Sequence, residues 1–169
     1  METKEISLAL KSEAVSLGLC QEWTSEWSNE SKDSLVEKYV KGIDFCIEHN
    51  YPSLAFMKEN FDGVMQRHGV FAMEEISVFN RNFIDVNHSC IGSAKNNSYF
   101  DTDGYVRGNS VLDIVAMENS SFHISLYDTS ILNIRCYDNA KVYVYRYGGT
   151  VNVEIGGDRV FVRDKTIGK

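Results

Sequence analysis

The pattern of apolar and polar residues changes near the middle of the chain. In the first third, apolar side chains recur every three or four residues, which is typical of amphipathic helices. From residue 110 onward they alternate with polar side chains, which is typical of strands with one buried face. The chain therefore predicts an α+β protein, with a helical region at 1–63, a transition to β structure at 64–108 and a β-repeat region at 109–169.

Three main helices are expected in the helical region. The first begins near Ile6, where apolar residues form one stripe along EISLALKSEAVSLGLC. The second runs from Ser31, whose hydroxyl can accept an orphan backbone N–H, to Asn50, a residue that tolerates a left-handed helix end. The third opens at Pro52 and stops at Asp62, which is followed by a glycine.

Residues 110–149 repeat every ten positions. In rows of ten they read SVLDIVAMEN, SSFHISLYDT, SILNIRCYDN and AKVYVYRYGG. The third and fifth positions of every row are apolar, and each row closes with residue types that favour turns. Each row is therefore interpreted as one strand plus one tight turn. The segments TVNVEIGG and DRVFVRD continue the pattern with shorter spacing.

Two architectures fit such a repeat, an antiparallel β-meander and a short β-solenoid with rows of about ten residues. In a solenoid, equivalent positions stack above each other and share one packing problem, so the same residue type is favoured in each column. The constant register of the four rows favours the solenoid. Two rows per turn would give a flattened coil with two faces, in which Tyr127 stacks on Tyr147.

Charge argues against some classes of partner. The formal net charge is −7. Residues 1–60 carry 11 acids and 6 bases, whereas residues 109–169 carry 7 of each, so the acidity is concentrated towards the N-terminus. Neither part is a basic footprint for nucleic acid, which makes nucleic-acid binding an unexpected function. An acidic surface usually serves to keep a protein soluble, and an acidic mimic of DNA is the alternative interpretation of this charge.

The sequence also indicates where the protein resides. No segment approaches the roughly 18 apolar residues of a membrane helix, so no membrane association is expected. The N-terminus lacks the basic start and apolar run of a secretory signal. The four cysteines are widely spaced, with no CxxC pair, as in reduced intracellular proteins. We therefore expect a cytoplasmic protein.

Motifs for catalysis or metal binding are missing from the sequence. His88 and Cys90 lie two apart, but no further zinc ligands lie nearby. Asp101 and Asp103 resemble the start of a calcium loop, yet the twelfth position is Leu112 instead of glutamate. The GxSxG, P-loop, HExxH and GxGxxG motifs do not occur. The prediction is a protein without catalytic residues, metal or cofactor.

Aromatic residues are the candidates for binding. Tyr143, Tyr145 and Tyr147 alternate with valines, so the three rings would face outward together as a protein interface or a carbohydrate platform. The alternative is a cross-strand ladder packed under the helices. Trp23 and Trp27 lie four apart and can share a helix face. They are weaker candidates for a sugar or peptide site, or else close the helical layer over the core.

Three stretches carry a resemblance to a known group of proteins. LGLCQEWTSEW, YVKGIDFCIEHNYPS and the terminal YVYRYGG…VFVRDK resemble a family of uncharacterised small proteins of bacteroidete genomes and their phages or mobile elements. The resemblance spans most of the chain and implies a bacterial or phage protein, but supplies no activity and no site residues. The column pattern also resembles small bacterial β-solenoids such as bactofilins, in architecture alone.

These features favour a non-enzymatic protein–protein interaction or scaffold protein. Its aromatic face or an open end of the solenoid would dock a protein partner or another copy of the chain. Two alternatives stay open. One is a phage-type inhibitor or decoy of a host system, acting through the acidic helical face. The other is a carbohydrate-binding or carbohydrate-active protein that uses the tyrosine face with Asp113, His123 or Asp128.

Overall fold

The structure is a computed structural model that describes residues 1–25, 27 and 30–166. Contacts divide the chain into two units, Met1–His68 and Gly69–Lys169. The first unit is helical and the second is built from parallel strands, so the predicted α+β class is confirmed. The strands begin at Val70, and most of the segment 64–108 therefore already belongs to the β unit.

The described part of the helical unit contains five α-helices and one 3₁₀ turn. They are α1 (Thr3–Ser16), α2 (Gln21–Ser25), α3 (Lys32–Lys41), α4 (Ile43–His49), α5 (Leu54–Phe61) and the turn Met65–His68.

The predicted helix ends are confirmed, but the predicted long second helix is wrong. The Ser31 hydroxyl accepts the Ser34 N–H at 3.1 Å, and Asn50 adopts a left-handed φ of 49°. Between these ends, Gly42 leaves the helical conformation, with φ −102° and ψ 25°, and separates α3 from α4. Glycine is the residue with the weakest backbone restraint against such an interruption.

Two polar contacts tie distant segments of the helical unit together. The Tyr51 hydroxyl donates to the Leu10 carbonyl at 2.7 Å, which joins the segment after α4 to α1. The Asp33 carboxylate bonds to the His68 ring at 2.8 Å and to the Arg67 guanidinium at 2.9 Å, which joins α3 to the 3₁₀ turn. The hydrogen bond with His68, followed by that with Arg67, holds the pKa of Asp33 below its ordinary value.

The β unit consists of short strands of similar length. They are β1 (Val70–Ala72), β2 (Glu75–Phe79), β3 (Phe83–Asn87), β4 (Ile91–Asn96), β5 (Asp101–Arg107), β6 (Val111–Ala116), β7 (Ser121–Leu126), β8 (Ile131–Cys136), β9 (Lys141–Arg146), β10 (Thr150–Ile155) and β11 (Val160–Asp164), with a 3₁₀ turn at Gly157–Arg159 before β11.

These strands form two parallel sheets. The six-stranded sheet has the order β1-β3-β5-β7-β9-β11, and the five-stranded sheet has the order β10-β8-β6-β4-β2. Successive strands alternate between the sheets, so the chain coils and each strand pairs with the strand two places along. The β-solenoid with two rows per coil is confirmed, and the antiparallel meander is wrong because the described pairs are parallel.

The register explains the ten-residue repeat. Leu112 pairs with Leu132 and Phe122 pairs with Val142, so identical columns lie one coil, or 20 residues, apart. The predicted stack of Tyr127 on Tyr147 is present, with ring centroids 4.8 Å apart and planes 3° from parallel. The inward columns form one continuous apolar core between the sheets.

Carboxylates at the row ends hold the corners of the solenoid. Glu118, Asp128 and Asp138 all have left-handed φ values of 54–58°. Asp128 accepts the backbone N–H of Gly108 at 2.8 Å, and Asp138 accepts that of Glu118 at 2.9 Å. Each carboxylate therefore satisfies a corner amide of the preceding coil, a charge-assisted hydrogen bond that repeats along the stack.

Candidate functional site

The outer face of the six-stranded sheet carries a cluster of aromatic rings, here called the outer aromatic face. The rings of His123 and Tyr143 stack with centroids 4.8 Å apart, and those of Tyr143 and Phe161 stack at 5.3 Å. Tyr105 contacts Phe83 at 6.0 Å on the same face. Neighbouring strands of a sheet lie about 4.8 Å apart, so residues in register stack their rings face to face.

The structure gathers two of the three predicted tyrosines on this face. Tyr143 and Tyr145 lie on β9, both half-buried, and point away from the core because the alternating valines are buried. Tyr147 follows the end of β9 and joins the corner stack with Tyr127. The strand ends at Arg146, so the alternation that placed Tyr147 with the other two does not continue.

A hollow of about 270 Å³ opens on the outer aromatic face. Ser125, a small residue, lies in register with Tyr105 and Tyr145, and these two rings flank the hollow together with His123. Asp113 lies in β6 of the other sheet, and Asp128 binds the corner amide of Gly108. Of the three polar residues proposed with the tyrosines, His123 is the one found on this face.

The last coil of the solenoid, residues 150–164, leaves core positions uncovered. Val153 stacks on Ile134, and Val162 stacks on Val144. The two lower residues are 0% and 1% exposed, whereas Val153 is 41% and Val162 is 46% exposed. The strands β10 and β11 are also the edge strands of their sheets, so each presents one unpaired edge.

Arginine side chains close both corners of this last coil. Arg146 stands in the inward column above Leu126, where it donates to the Gly149 carbonyl at 2.8 Å and pairs with Asp164 at 3.0 Å. At the opposite corner, Arg159 donates to the Cys136 carbonyl at 2.8 Å. The polar corners confine the uncovered apolar surface to the middle of the coil.

A second candidate site lies within the helical unit. A pocket of about 380 Å³, here called the helical pocket, is lined mainly by apolar and aromatic side chains. Both predicted tryptophans, Trp23 and Trp27, line it, although α2 ends at Ser25 and the two rings do not share a helix. Phe45 and Tyr51 supply further aromatic wall.

The polar groups of the helical pocket are few. The ammonium of Lys41 lies 5.2 Å from the centroid of the Trp23 ring, a cation–π contact. Lys38 also lines the pocket and pairs with Glu30 at 3.0 Å. Burial raises the pKa of Tyr51 far above its ordinary value, so its hydroxyl stays protonated and keeps donating to Leu10.

Sequence reasoning identified the tryptophans but missed the rest of this pocket. Its wall comes from the middle of α1 and the segment that follows α1, from α2, from α3 and α4, and from the segment that contains Pro52. No local spacing links residues that are this far apart in the chain.

The described residues lack two features, a metal-binding cluster and a membrane-spanning helix. Within them, no group of three or more histidine, cysteine, aspartate or glutamate side chains is placed to hold a metal ion. No helix among them is both long and apolar enough to cross a bilayer. Comparison of the chain with protein-family models, curated proteins and solved structures found no significant match.

Proposed function

We propose that the protein is a non-enzymatic scaffold that associates through the last coil of its β-solenoid. The observation that carries this proposal is the exposure of Val153 and Val162 at core positions, between two unpaired sheet edges. Each coil of a solenoid buries its apolar face against the next coil. A chain docked on the last coil would continue both the apolar core and the ladder of backbone hydrogen bonds.

The exposed apolar area of the last coil determines how strongly two chains can associate through it. The two uncovered core residues, Val153 and Val162, are 41% and 46% exposed. Full burial of such a side chain contributes about 1.5–3 kcal/mol, so covering the exposed part of both contributes about 1–3 kcal/mol. Association itself costs about 4 kcal/mol or more. Edge hydrogen bonds must supply the rest, and we expect reversible, concentration-dependent association.

Charge favours a second copy of the chain as the occupant. The segment 150–166 contains three acids and three bases, so its formal charge is zero in a chain of net charge −7. Two copies of this end can therefore approach without net repulsion between like charges. The charged residues are Glu154, Asp158, Asp164, Arg159, Arg163 and Lys165.

The state of the cysteines supports a proposal for the cellular compartment of the scaffold. All four cysteines lie among the described residues and none of them forms a disulfide, which suits a reducing compartment, and the proposal therefore places the protein in the cytoplasm. Membership of the small-protein family of bacteroidete genomes and phages is part of the same proposal. The alternative to a scaffold is an inhibitor of a host system that acts through the acidic helical face. In that case binding to the host partner should weaken steeply as salt rises.

A lysine placed in the exposed core column tests the proposal. Val162→Lys introduces a charge at the proposed contact, and Val15→Lys is the matched control because Val15 is 51% exposed on α1. Sedimentation velocity over a range of concentrations should show a mass that rises for the wild type and for Val15→Lys, but stays monomeric for Val162→Lys. A wild type that is monomeric throughout, or a Val162→Lys variant that associates normally, would contradict the proposal.

A second candidate function, carbohydrate binding, is favoured by the hollow between Tyr105 and Tyr145. Aromatic rings with a polar handle suit contacts that are apolar on one side and wet on the other. Titration with a panel of oligosaccharides should then give saturable binding that Tyr145→Ala abolishes. Tyr99→Ala serves as control, since Tyr99 is 83% exposed and does not line the hollow. A panel without any binder would remove this candidate.

A further inference from the structure

We propose that the helical pocket binds a neutral, planar aromatic molecule of about two fused rings. This inference is independent of the proposed scaffold function, because the pocket is built entirely from residues of the helical unit. It rests on three properties of the pocket: its volume, the aromatic side chains of its wall and the balance of the charges around it.

The pocket has the dimensions of a small-molecule site. Packed protein interiors contain few voids larger than a water molecule. Ligand pockets are typically about 300–1,000 Å³ and mostly apolar, with a few polar groups that orient the ligand. At about 380 Å³, the helical pocket has room for about a dozen groups of the size of water or methylene. Two fused aromatic rings with one small substituent are of this size.

Aromatic side chains contribute much of the wall. Trp23, Trp27, Tyr39, Phe45 and Tyr51 all line the pocket. Both indole side chains are only partly buried, so a ligand can cover more of their surface. The rings of Phe45 and Tyr51 lie edge to face, with centroids 6.0 Å apart and an angle of 76° between their planes. Because such aromatic arrangements gain more than their buried area alone provides, a planar aromatic ligand gains contacts that an aliphatic chain of equal size lacks.

The charges around the pocket balance, which favours a ligand without a net charge. Among the described residues that line it, Lys38, Lys41 and Asp44 carry a charge. The Lys38 ammonium pairs with the Glu30 carboxylate at 3.0 Å, and the Lys41 ammonium lies over the Trp23 ring. With Glu30 included, two positive and two negative charges surround the pocket. A charged ligand would have to compete with these existing contacts for a partner, whereas a neutral ligand needs none.

The hydrogen-bonding groups of the wall also favour an apolar ligand. The buried Tyr51 hydroxyl is satisfied within the protein, since it donates to the Leu10 carbonyl at 2.7 Å. Lys41 and Asp44 are exposed, so water already solvates their charged groups. A ligand with apolar faces therefore removes few polar groups from water or from their partners when it enters the pocket.

Three probes that share two fused rings and differ in charge test the ligand class. They are the neutral 2-naphthol, the anion 2-naphthoate and the cation 2-naphthylmethylammonium. Equilibrium dialysis at neutral pH should give saturable binding of 2-naphthol with a dissociation constant of about 1 mM or lower. Both charged probes should bind at least about fivefold more weakly. A charged probe that binds within this factor of 2-naphthol, or more tightly, would overturn the neutral assignment, and no saturable binding of any probe would overturn the site.

Cys20 reports where the probe binds, because it lines the pocket and is the exposed cysteine of the chain. Alkylation of Cys20 by iodoacetamide can be followed by mass spectrometry of the peptide that contains it. A ring bound in the pocket shields this thiol, so 2-naphthol should slow the alkylation in proportion to the fraction of pocket occupied. An alkylation rate that 2-naphthol leaves unchanged would place the binding elsewhere and overturn the site.

A leucine placed inside or outside the pocket provides the matched pair of variants. Gly42→Leu should abolish binding of 2-naphthol, because a Cβ at Gly42 lies 3.6 Å from the Trp23 ring and a longer side chain enters the pocket. Ser12→Leu adds the same side chain at an exposed position of α1 and should leave binding unchanged. Far-UV circular dichroism checks that both variants keep the helical content of the wild type. A folded Gly42→Leu variant that binds 2-naphthol as tightly as the wild type would contradict the proposal, and if this variant does not fold, the alkylation of Cys20 in the wild type decides.

Discussion

Replacing Gly104 with alanine tests the stacking of residues 20 apart. Gly104 faces the core on β5, in register with Ile84 below and Ile124 above. A Cβ at this position would lie 2.5 Å from Ile124 Cδ1 and 3.0 Å from Ile84 Cγ1, which is far inside van der Waals contact. The substitution therefore overpacks the core at a predictable contact.

The expected loss follows from two opposing effects. Overpacking a filled core costs about 1–3 kcal/mol. Alanine also restricts the unfolded chain, which offsets about 0.4–1 kcal/mol of this loss. We expect Gly104→Ala to lower the free energy of unfolding by about 1–2 kcal/mol, which lowers the melting temperature by about 2–8 °C in a protein of this size. Urea unfolding followed by far-UV circular dichroism measures the difference.

A second substitution tests which side chain the new Cβ at position 104 contacts. Ile124→Val removes the Cδ1 atom that the new Cβ would strike, and by itself costs about 0.5–1.5 kcal/mol. The double variant should be more stable than the sum of the single losses by at least about 0.5 kcal/mol. Ile134→Val is the control, since Ile134 is equally buried but lies in the other sheet. Equal coupling with both isoleucines, or additivity with Ile124→Val, would refute the register.

Three other substitutions or treatments test individual contacts. Asp85→Ala should destabilise the fold by about 3–5 kcal/mol in thermal unfolding, because Arg107 pairs with this fully buried carboxylate at 2.8 and 3.0 Å. Cys20 is exposed and the other three cysteines are buried, so one thiol per chain should react with a thiol reagent before unfolding. Asp33→Asn should lower the free energy of unfolding at neutral pH but not in acid. The hydrogen bond with His68 lowers the pKa of Asp33 in the folded state. The resulting stabilisation is present above pH 3.8, the ordinary pKa, and disappears as the pH falls through the lower pKa of the folded state.

The later coils of the solenoid were predictable because their columns are uniform. Rows of equal length with the same residue type at each inward position leave few other ways to bury the apolar face. In the earlier coils, Gly92 and Gly104 occupy inward positions, and glycine has no apolar side chain that a hydrophobicity pattern would detect. Inward Asn96 is buried and donates to Thr102 at 2.7 Å, so a polar residue occupies a core column. Because glycine and asparagine stand at these inward positions, the alternation of apolar and polar residues is interrupted. The hydrophobicity pattern therefore does not reveal the repeat in residues 70–107.

The candidate sites were predictable to different degrees. Strict alternation with buried valines placed Tyr143 and Tyr145 on one face, whereas Tyr147 required knowledge of where β9 ends. The solenoid repeat predicts that the last coil exposes core positions. The repeat does not predict the arginine side chains at the corners of this coil, because their positions depend on its shorter spacing. The helical pocket depends on tertiary packing, and the spacing of Trp23 and Trp27 alone does not reveal it.

Hydrogen exchange at the last coil tests the central claim most directly. Unpaired edge amides of β10 and β11 exchange rapidly in a monomer and become protected when another strand docks. Peptides that cover residues 150–164 should therefore gain protection as protein concentration rises, while peptides from β5 to β8 stay unchanged. The same peptides of Val162→Lys should show no such gain. Protection that is independent of concentration at 150–164, or that appears elsewhere in the chain instead, would contradict association through this coil.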